Sequence, residues 1–314
     1  MKLYLVVPCY NEEEVLMETA TCLAKKFDEL IKNNTIDLQS RIVFVDDGSK
    51  DNTWNIIESL TQNNQIFGGI KLSRNSGHQN ALLAGLMTVK KEADISISMD
   101  ADLQDDISAI DRFIEEYEKG NDIVYGVRSS RKKDTFFKKH TALIFYKLMH
   151  NIGVNIVYNH ADYRLMSKRA LYELEQFKEV NLFLRGIIPL IGFKTSIVKY
   201  ERHERFAGES KYPFKKMLVF AFDGVTSFSI KPIRLVLSIG ILFMILSVGV
   251  LIYATIGKLL GINITGWTFL VSSIWLLSGV QMLSLGIIGE YIGKIYNEVK
   301  ARPRFIVDKF IIKK

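Results

Sequence analysis

The stretch ADISISMDADLQDD, residues 93–106, joins an apolar strand-like run to four acidic residues within the seven positions that end at Asp106. The run before Met99 is typical of a buried strand. Carboxylates that lie this close together repel one another, so they must lie in water or have a cation among them. The stretch therefore predicts a central strand whose end carries either solvated loop acids or a cation site.

The sequence on both sides of this stretch alternates short β-rich runs with longer helical ones. The predicted strands are residues 3–9, 41–47, 68–73, 93–100 and 122–128, and the predicted helices are residues 13–33, 51–62, 80–91 and 107–120. Strands that alternate with helices in this way form parallel βαβ units with right-handed crossovers. The sequence thus predicts a doubly wound, mostly parallel α/β sheet up to about residue 130.

Polar stretches follow each predicted strand. They read PCYNEE, DDGSKDNT, SRNSGHQN, DADLQDD and GVRSSR. Ligands of doubly wound sheets bind at the carboxyl ends of the strands, so these stretches predict one site along one edge.

Composition sets the broad class of the protein. The chain has 314 residues, a net charge of +7 and 48% hydrophobic residues, which allows one or two globular units and excludes a disordered chain. Its two cysteines, Cys9 and Cys22, have no metal-type spacing and fit a reducing compartment. We expect no nucleic-acid partner.

Two long apolar runs, residues 235–256 and 267–289, lie near the carboxyl terminus. Each is long enough to cross the roughly 30 Å hydrocarbon core of a bilayer, the alternative being two buried helices of a soluble core. Basic residues flank the pair, whereas the connecting loop 257–266 contains only Lys258. The flanking residues are Lys231, Arg234, Lys294, Lys300, Arg302, Arg304 and Lys309. This bias predicts an integral membrane protein with both termini in the cytoplasm.

Two further segments, residues 135–157 and 211–235, mix lysines with aromatic and aliphatic residues at helical spacing. Such helices lie in the headgroup plane of a bilayer or pack against the protein core. The second segment directly precedes an apolar run, which favours the membrane surface.

Several residues at the predicted edge suit binding of a nucleotide diphosphate. Asp100 and Asp102 point the same way if the chain is extended, and a hard divalent cation would neutralise both while keeping positions for phosphate. Asp46 can accept a hydrogen bond from a base N–H such as that of uracil, or serve only turn and cap chemistry. Tyr10 offers a ring beside a base, and Glu12 begins a helix, where an acid suits the dipole.

The motifs VPCYNEEE, VDDGSKDNT, LSRNSGHQNALLAG and MDADLQDD, in this order and spacing, resemble the inverting glycosyltransferases of family 2, which have the GT-A fold. Together with ADYRLMSKRA, RFAGESKY and the two apolar runs, they resemble polyprenyl-phosphate glycosyltransferases of the bactoprenol glucosyltransferase and dolichyl-phosphate mannose synthase type. The resemblance covers practically the whole chain.

The resemblance implies a role for individual positions. The implied nucleotide-binding residues are Pro8, Tyr10, Glu12, Asp46 and Asp100, and the implied ligands of Mg²⁺ or Mn²⁺ are Asp100, Asp102 and Gln104. The implied catalytic residue is Asp162, as a base or as a group that orients the acceptor; a helix cap or an ion pair to Arg164 is the structural alternative. Relatives often carry prolines after the acidic motif, so the roles of Asp105 and Asp106 stay open.

Basic residues are expected to receive the acceptor phosphate or the diphosphate. The candidates are Arg128, Arg131, Arg202, Arg205, Ser210 and Lys211. The five histidines do not form a metal-ligand spacing, and we interpret them, His78 included, as structural or surface residues.

The resemblance implies a cytoplasmic GT-A catalytic domain at 1–210, an interface segment at 211–233, two transmembrane helices at 234–292 and a basic tail at 293–314. The expected reaction moves one sugar, glucose first, from a UDP-sugar to undecaprenyl phosphate at the bacterial plasma membrane. A homo-oligomer, a tetramer among the options, is also implied. The alternatives are a processive polysaccharide synthase, whose Gln-x-x-Arg-Trp signature is absent from the sequence, and a non-catalytic nucleotide-sugar-binding membrane protein.

Overall fold

A computed structural model of the protein describes residues 1–129, 160–180, 182–201, 231–260 and 266–313. The chain forms two compact units, one of Met1–Phe214 with Arg302–Lys314 and one of Lys215–Ala301. The predicted interface segment at 135–157, and residues 211–230 of the one at 211–235, lie outside the described residues.

The first unit is built on one sheet, which has eight strands among the described residues. The strands are β1 (Leu3–Cys9), β2 (Arg41–Asp46), β3 (Phe67–Leu72), β4 (Ile95–Ser98), β5 (Ile123–Arg128), β6 (His160–Ser167), β7 (Thr195–Tyr200) and β8 (Val307–Ile312). Their order across the sheet is β7-β5-β6-β4-β1-β2-β3-β8. Only β6 and β8, of the described strands, run antiparallel to their neighbours. The predicted mostly parallel α/β fold is thus confirmed.

The helices of the first unit connect these strands. They are α1 (Leu16–Lys32), α2 (Thr53–Asn63), α3 (His78–Val89), α4 (Ala109–Glu118), α5 (Lys168–Leu174) and the short α6 (Leu184–Ile187), which continues into a 3₁₀ turn. Strand β1 is buried throughout, as expected for a central parallel strand covered on both faces. A Cβ at Gly85 of α3 would come within 2.3 Å of the side chain of Val6, so only glycine allows α3 to pack this close to the sheet.

Three strands, β6, β7 and β8, lie after residue 130, beyond the region in which the sequence predicted alternating strands and helices. Of these, β6 matters most for the site, because an antiparallel strand begins at the edge where its parallel neighbours end. Ser98, the last residue of β4, pairs with Arg164 of β6. Asp162 therefore lies just beyond the end of β4, beside Asp100.

The carboxyl-terminal segment contributes to the same sheet. We expected residues 293–314 to form a basic tail, but β8 pairs with β3, and Ser73 N–H donates to the carbonyl of Ile306. Backbone pairing with an edge strand satisfies hydrogen-bonding groups that β3 would otherwise present to solvent.

The second unit contains α7 (Lys231–Leu259) and α8 (Trp267–Lys300). Both are long and apolar enough to cross a membrane by length and composition. Large apolar side chains such as Leu242 and Ile245 of α7, and Leu283 and Ile292 of α8, are exposed.

Candidate functional site

The loops after β1 and β2 are tied to each other by hydrogen bonds. Asn11, at a positive φ of 52°, donates its N–H to Ser49 Oγ at 3.0 Å and accepts from Lys50 N–H at 2.9 Å. Glu12 N–H donates to Thr53 Oγ1 at 3.0 Å. This network fixes the predicted nucleotide-binding stretch, in which Pro8 is buried within β1 and Tyr10 and Glu12 are half-buried.

Asp46 and Asp47 end β2 with different partners. Asp46 is fully buried; its Oδ1 accepts from Ser49 N–H at 3.1 Å, while its Oδ2 has no hydrogen-bond partner in the structure as described. Burial raises the pKa of Asp46. Asp47 accepts from the N–H groups of Ser76 and Gly77 at 2.7 and 2.9 Å, and so holds the loop before α3. Asp46 therefore keeps one open acceptor, whereas Asp47 has a structural role.

The acidic loop after β4 is held in a defined conformation. Thr19 Oγ1 of α1 donates to the carbonyl of Ala101 at 2.7 Å, and Gln104 N–H donates to Asp102 Oδ1 at 3.2 Å. Leu103 lies between them at a positive φ of 55°, which fixes a tight reversal of the backbone. The side chains of Asp100 and Asp102 are both partly accessible from this loop.

His78 contacts Asp100, with 3.0 Å between its Nε2 and Oδ1 of the carboxylate. Burial opposes a charge on the imidazole, but the hydrogen bond and charge of Asp100 raise the pKa of His78 to about 9. The imidazolium lowers the pKa of Asp100 in turn, against the opposing effect of burial. The interpretation of His78 as a purely structural or surface residue thus missed a charged partner of the acidic loop.

Asp162 lies between two arginines. Its Oδ1 accepts from Arg164 Nη2 and, at 3.2 Å, from Arg185 Nε, while its Oδ2 accepts from Arg185 Nη2 at 3.0 Å. Burial alone would raise the pKa of Asp162, yet Arg185 and Arg164 hold it well below its usual range. Ser98 Oγ also donates to the main-chain carbonyl of Asp162. Asp162 is therefore a fixed anion, and the ion pair to Arg164 that we considered as an alternative does form.

The structure gives partners to the two acids whose roles were open. Asp105 is buried and accepts from the Tyr200 hydroxyl at 2.6 Å. Burial, with repulsion from Asp100, raises the pKa of Asp105 to about 7. Asp106 accepts from Ser108 N–H at 2.9 Å, and its carbonyl accepts from the Tyr163 hydroxyl at 3.0 Å. Both acids thus hold the acidic loop against neighbouring elements.

The basic candidates divide into one described residue and five others. Arg128 ends β5 close to Tyr200, Asp105 and Asp100, where charge interactions offset the effect of burial and raise its pKa. Arg131, Arg202, Arg205, Ser210 and Lys211 lie outside the described residues. Their assignment to phosphate binding stays a prediction.

The donor set at the acidic loop fits a hard divalent cation. Asp100 and Asp102 offer only oxygen ligands, which Mg²⁺ and Mn²⁺ accept. Within the described ranges, no cluster of three or more His, Cys, Asp or Glu residues could hold a metal. A metal here would therefore take further ligands from phosphate and water, as Mg²⁺ commonly does.

The sequence indicated the strand ends but not the two partners contributed by helices. His78 stands directly after Gly77 at the start of α3, on the same edge, so its position in SRNSGHQN was an available signal. Arg185 is on α6, far along the chain, and carries no motif that identified it. Only the fold brings Arg185 to Asp162.

Comparison with known protein families agrees with this arrangement. Residues 4–175 match Glycosyl transferase family 2, and residues 231–295 match the GtrB C-terminal hairpin. The first match contains β1 to β6, and the second contains most of α7 and α8.

Curated relatives align over nearly the whole chain. An uncharacterized glycosyltransferase of Bacillus subtilis, YkoT, is 56% identical over 98% of this chain and 91% of its own length. The SfII prophage-derived bactoprenol glucosyl transferase of Shigella flexneri is 39% identical over 98% of each chain. A prophage bactoprenol glucosyl transferase homolog of Escherichia coli K12 is also 39% identical, over 98% of this chain and 99% of its own.

One solved structure that aligns with the chain is more distant. TarS of S. aureus in complex with UDP aligns at 18% identity with a TM-score of 0.42, over 64% of this chain and 59% of its own. Because the family match spans more than half of the residues and the relatives exceed 30% identity over nearly full length, this chain belongs to glycosyl transferase family 2 and is a glycosyltransferase.

Proposed function

We propose that the protein transfers one sugar, glucose first, from a UDP-sugar to undecaprenyl phosphate with inversion at the anomeric carbon. The names of the relatives at 39% identity, bactoprenol glucosyl transferases, support the acceptor and the sugar. The observation that carries the proposal is the pair of acidic groups at one edge of the sheet. Asp100, in the acidic loop, lies beside Asp162, which is held as an anion by two arginines.

The base-binding residue Asp46 supports a uracil nucleotide. One of its oxygens is already used by Ser49 N–H, which leaves a single open acceptor. Uracil presents one N–H between two carbonyl groups, whereas guanine presents two adjacent N–H donors that suit a carboxylate with both oxygens open. Since Asp46 is fully buried, a base reaches this oxygen only when the atoms that cover it move.

The acidic loop supports a divalent cation at the diphosphate. Asp100 and Asp102 would hold it, with Gln104 beside them. A bound Mg²⁺ or Mn²⁺ neutralises charge that develops on the departing UDP. His78 adds a positive charge at the same place, because it is protonated at neutral pH beside Asp100.

The acceptor needs little help to lose a proton. A phosphate monoester has a second pKa of about 6, so it is largely ionised at neutral pH. In the proposed reaction a phosphate oxygen forms the bond to the anomeric carbon as the bond from that carbon to UDP breaks. Asp162 orients the acceptor on the face opposite UDP.

The helices of the second unit support a membrane location. Their exposed apolar side chains suit lipid rather than water. The chain leaves the first unit before α7 and returns to it after α8 to form β8, so both ends of the hairpin belong on one side of a bilayer. The flanking basic residues make that side the cytoplasm. We include a homo-oligomer, with a tetramer as one form, in this proposal.

The test is an incubation of membranes that contain the protein with undecaprenyl phosphate and a panel of labelled UDP- and GDP-sugars. We expect label in a solvent-extractable lipid from UDP-glucose, one sugar per lipid, and loss of this product in excess chelator. Undiminished turnover with chelator would remove the metal from the proposal. No labelled lipid from any donor, despite binding of UDP, would indicate a non-catalytic binding protein.

A further inference from the structure

We propose that Arg185 is a positioning residue that locks Asp162 through a two-point ion pair, so that transfer depends on an acceptor that arrives already ionised. This inference rests on the proposed function, and it adds a residue to which no role in the reaction has been assigned. It explains how one site selects a phosphate acceptor over a neutral hydroxyl.

The geometry of the pair is the first step of the argument. Arg185 uses Nε for one oxygen of Asp162 and Nη2 for the other, at 3.2 and 3.0 Å. A guanidinium that binds both oxygens of a carboxylate fixes the plane of that carboxylate as well as its charge. A lysine in the same place would supply the charge but not the orientation.

The two arginines of Asp162 differ in exposure. The side chain of Arg164 is 1% exposed, whereas that of Arg185 is 32% exposed. Arg164 belongs to β6 itself and lies within the sheet layer. Arg185 therefore forms the outer side of the pair, where a bound acceptor would meet Asp162.

Helix α6 is fixed to the site by a second contact. Leu184 N–H donates to Gln79 Oε1 at 2.8 Å, and Gln79 directly follows His78 in α3. The position of Arg185 is thus tied to the helix that supplies the charged partner of Asp100. A shift of α6 would move both contacts together.

The charges around Asp162 come from four elements. Arg164 of β6, Arg185 of α6 and His78 of α3 favour its ionised form, and Asp100 after β4 opposes it. With two arginines in direct contact, Asp162 keeps its negative charge and does not accept a proton near neutral pH. A hydroxyl acceptor, which has to lose a proton to react, finds only a weak base in this carboxylate, because the two arginines stabilise its ionised form.

The experiment compares Arg185→Met with Arg185→Lys in the full-length protein in detergent or membranes. For Arg185→Met we expect kcat for transfer to undecaprenyl phosphate to fall about 100-fold, which is the size of effect expected when a group in the site is misplaced by about 1 Å. UDP affinity and the acceptor KM should stay within about threefold of wild type. The acid limb of the kcat–pH profile should stay where it is in the wild type, because the acceptor phosphate, with a second pKa of about 6, sets it and Arg164 still keeps Asp162 ionised.

Arg185→Lys separates charge from geometry. We expect it to restore only part of kcat at an unchanged acceptor KM, since lysine supplies the charge but cannot bind both oxygens in one plane. It also serves as the second variant if Arg185→Met does not fold. The matched control is Arg169→Met, which removes the arginine that binds Asp122 at the opposite end of the strands. This variant should leave both kcat and the pH profile unchanged.

Three results would overturn the inference. They are an unchanged kcat in folded Arg185→Met, an acid limb that moves to higher pH, which would mean that Asp162 itself takes up the proton as a base, and a raised acceptor KM with unchanged kcat, which would make Arg185 an acceptor-binding residue. Failure of the proposed function looks different, because the wild-type protein itself would then transfer no sugar to undecaprenyl phosphate.

Discussion

Two largely buried aspartates, Asp162 and Asp122, are each bound by an arginine through both carboxylate oxygens, and they lie at opposite ends of the strands of one sheet. Asp162 is near the start of β6, where the parallel strands end. Asp122 directly precedes β5, where the parallel strands begin, and it also accepts a hydrogen bond from Ser167 Oγ at 2.9 Å. The ion-pair chemistry is the same, so the difference in role comes from the surroundings.

The arginine at Asp122 is largely in water. The side chain of Arg169 is 65% exposed and lies over the ring of Phe193, 4.5 Å from its centroid. Asp162, by contrast, has a second and fully buried arginine, and charged His78 and Asp100 lie nearby. We therefore expect an aspartate–arginine pair to indicate a reaction site only where strand ends gather further charges around it, as at Asp162.

The strongest test of this comparison is Asp162→Asn. Asparagine keeps the shape but removes the charge, so Arg164 and Arg185 lose their common anion and the acceptor loses its orienting group. We expect kcat for sugar transfer to fall about 1,000-fold while UDP affinity stays nearly unchanged. Rate assays and calorimetric titration with UDP measure the two effects. A near-normal rate would assign the orienting role to another residue.

Asp162→Asn would also leave the buried Arg164 without its anion, which affects stability. Removal of one partner from a buried ion pair typically costs about 3–5 kcal/mol, so Asp162→Asn should also lower the melting temperature. The rate has to be expressed per folded molecule, which active-site titration with UDP provides.

The sequence predicted the part of the site that is local in the chain. Asp46, Asp100 and Asp102 lie at or just after the ends of strands whose pattern is clear in the sequence, so this end of the sheet could be located without a structure. The last three strands were not predicted, because their pairing depends on contacts between residues far apart in sequence. β8, for example, joins β3 across more than two hundred positions.

The partners of the acids were beyond reach of the sequence for the same reason. Arg185 becomes relevant only when the antiparallel direction of β6 and the position of α6 are known. His78 was visible in the sequence, but a metal-ligand spacing was the wrong criterion for a residue that acts as a cationic partner of a carboxylate. Charge pairs between loops of different strands need a fold before they can be recognised.

The second test applies the same substitution, aspartate to asparagine, at Asp122, where the parallel strands begin. Asp122→Asn should leave kcat per folded molecule unchanged and reduce the free energy of unfolding by about 1–2 kcal/mol, since asparagine can keep the hydrogen bond with Ser167 but not the ion pair. The hydrogen bond from Arg169 lowers the pKa of Asp122, so its stabilising effect is present above the unfolded pKa of about 3.9 and is lost as pH falls through the lower folded value. The deficit of the variant, measured by thermal or denaturant unfolding, should therefore shrink in acid. A lower kcat would contradict the assignment of a reaction role to Asp162 and a structural role to Asp122.

The smallest expected effect concerns a third ion pair, in which neither side chain is buried. Lys309 of β8 lies 3.5 Å from Glu58 of α2, and its side chain is 53% exposed. Exposed pairs of this kind contribute about 0.2–1 kcal/mol, because water screens the charges and two flexible side chains must be ordered. Lys309→Ala should change the unfolding free energy by about 0.5 kcal/mol or less, and added salt should reduce the difference further. A loss as large as that of Asp122→Asn would mean that this side chain, and not backbone pairing with β3, holds β8 in place, so burial would no longer explain the order of the three pairs.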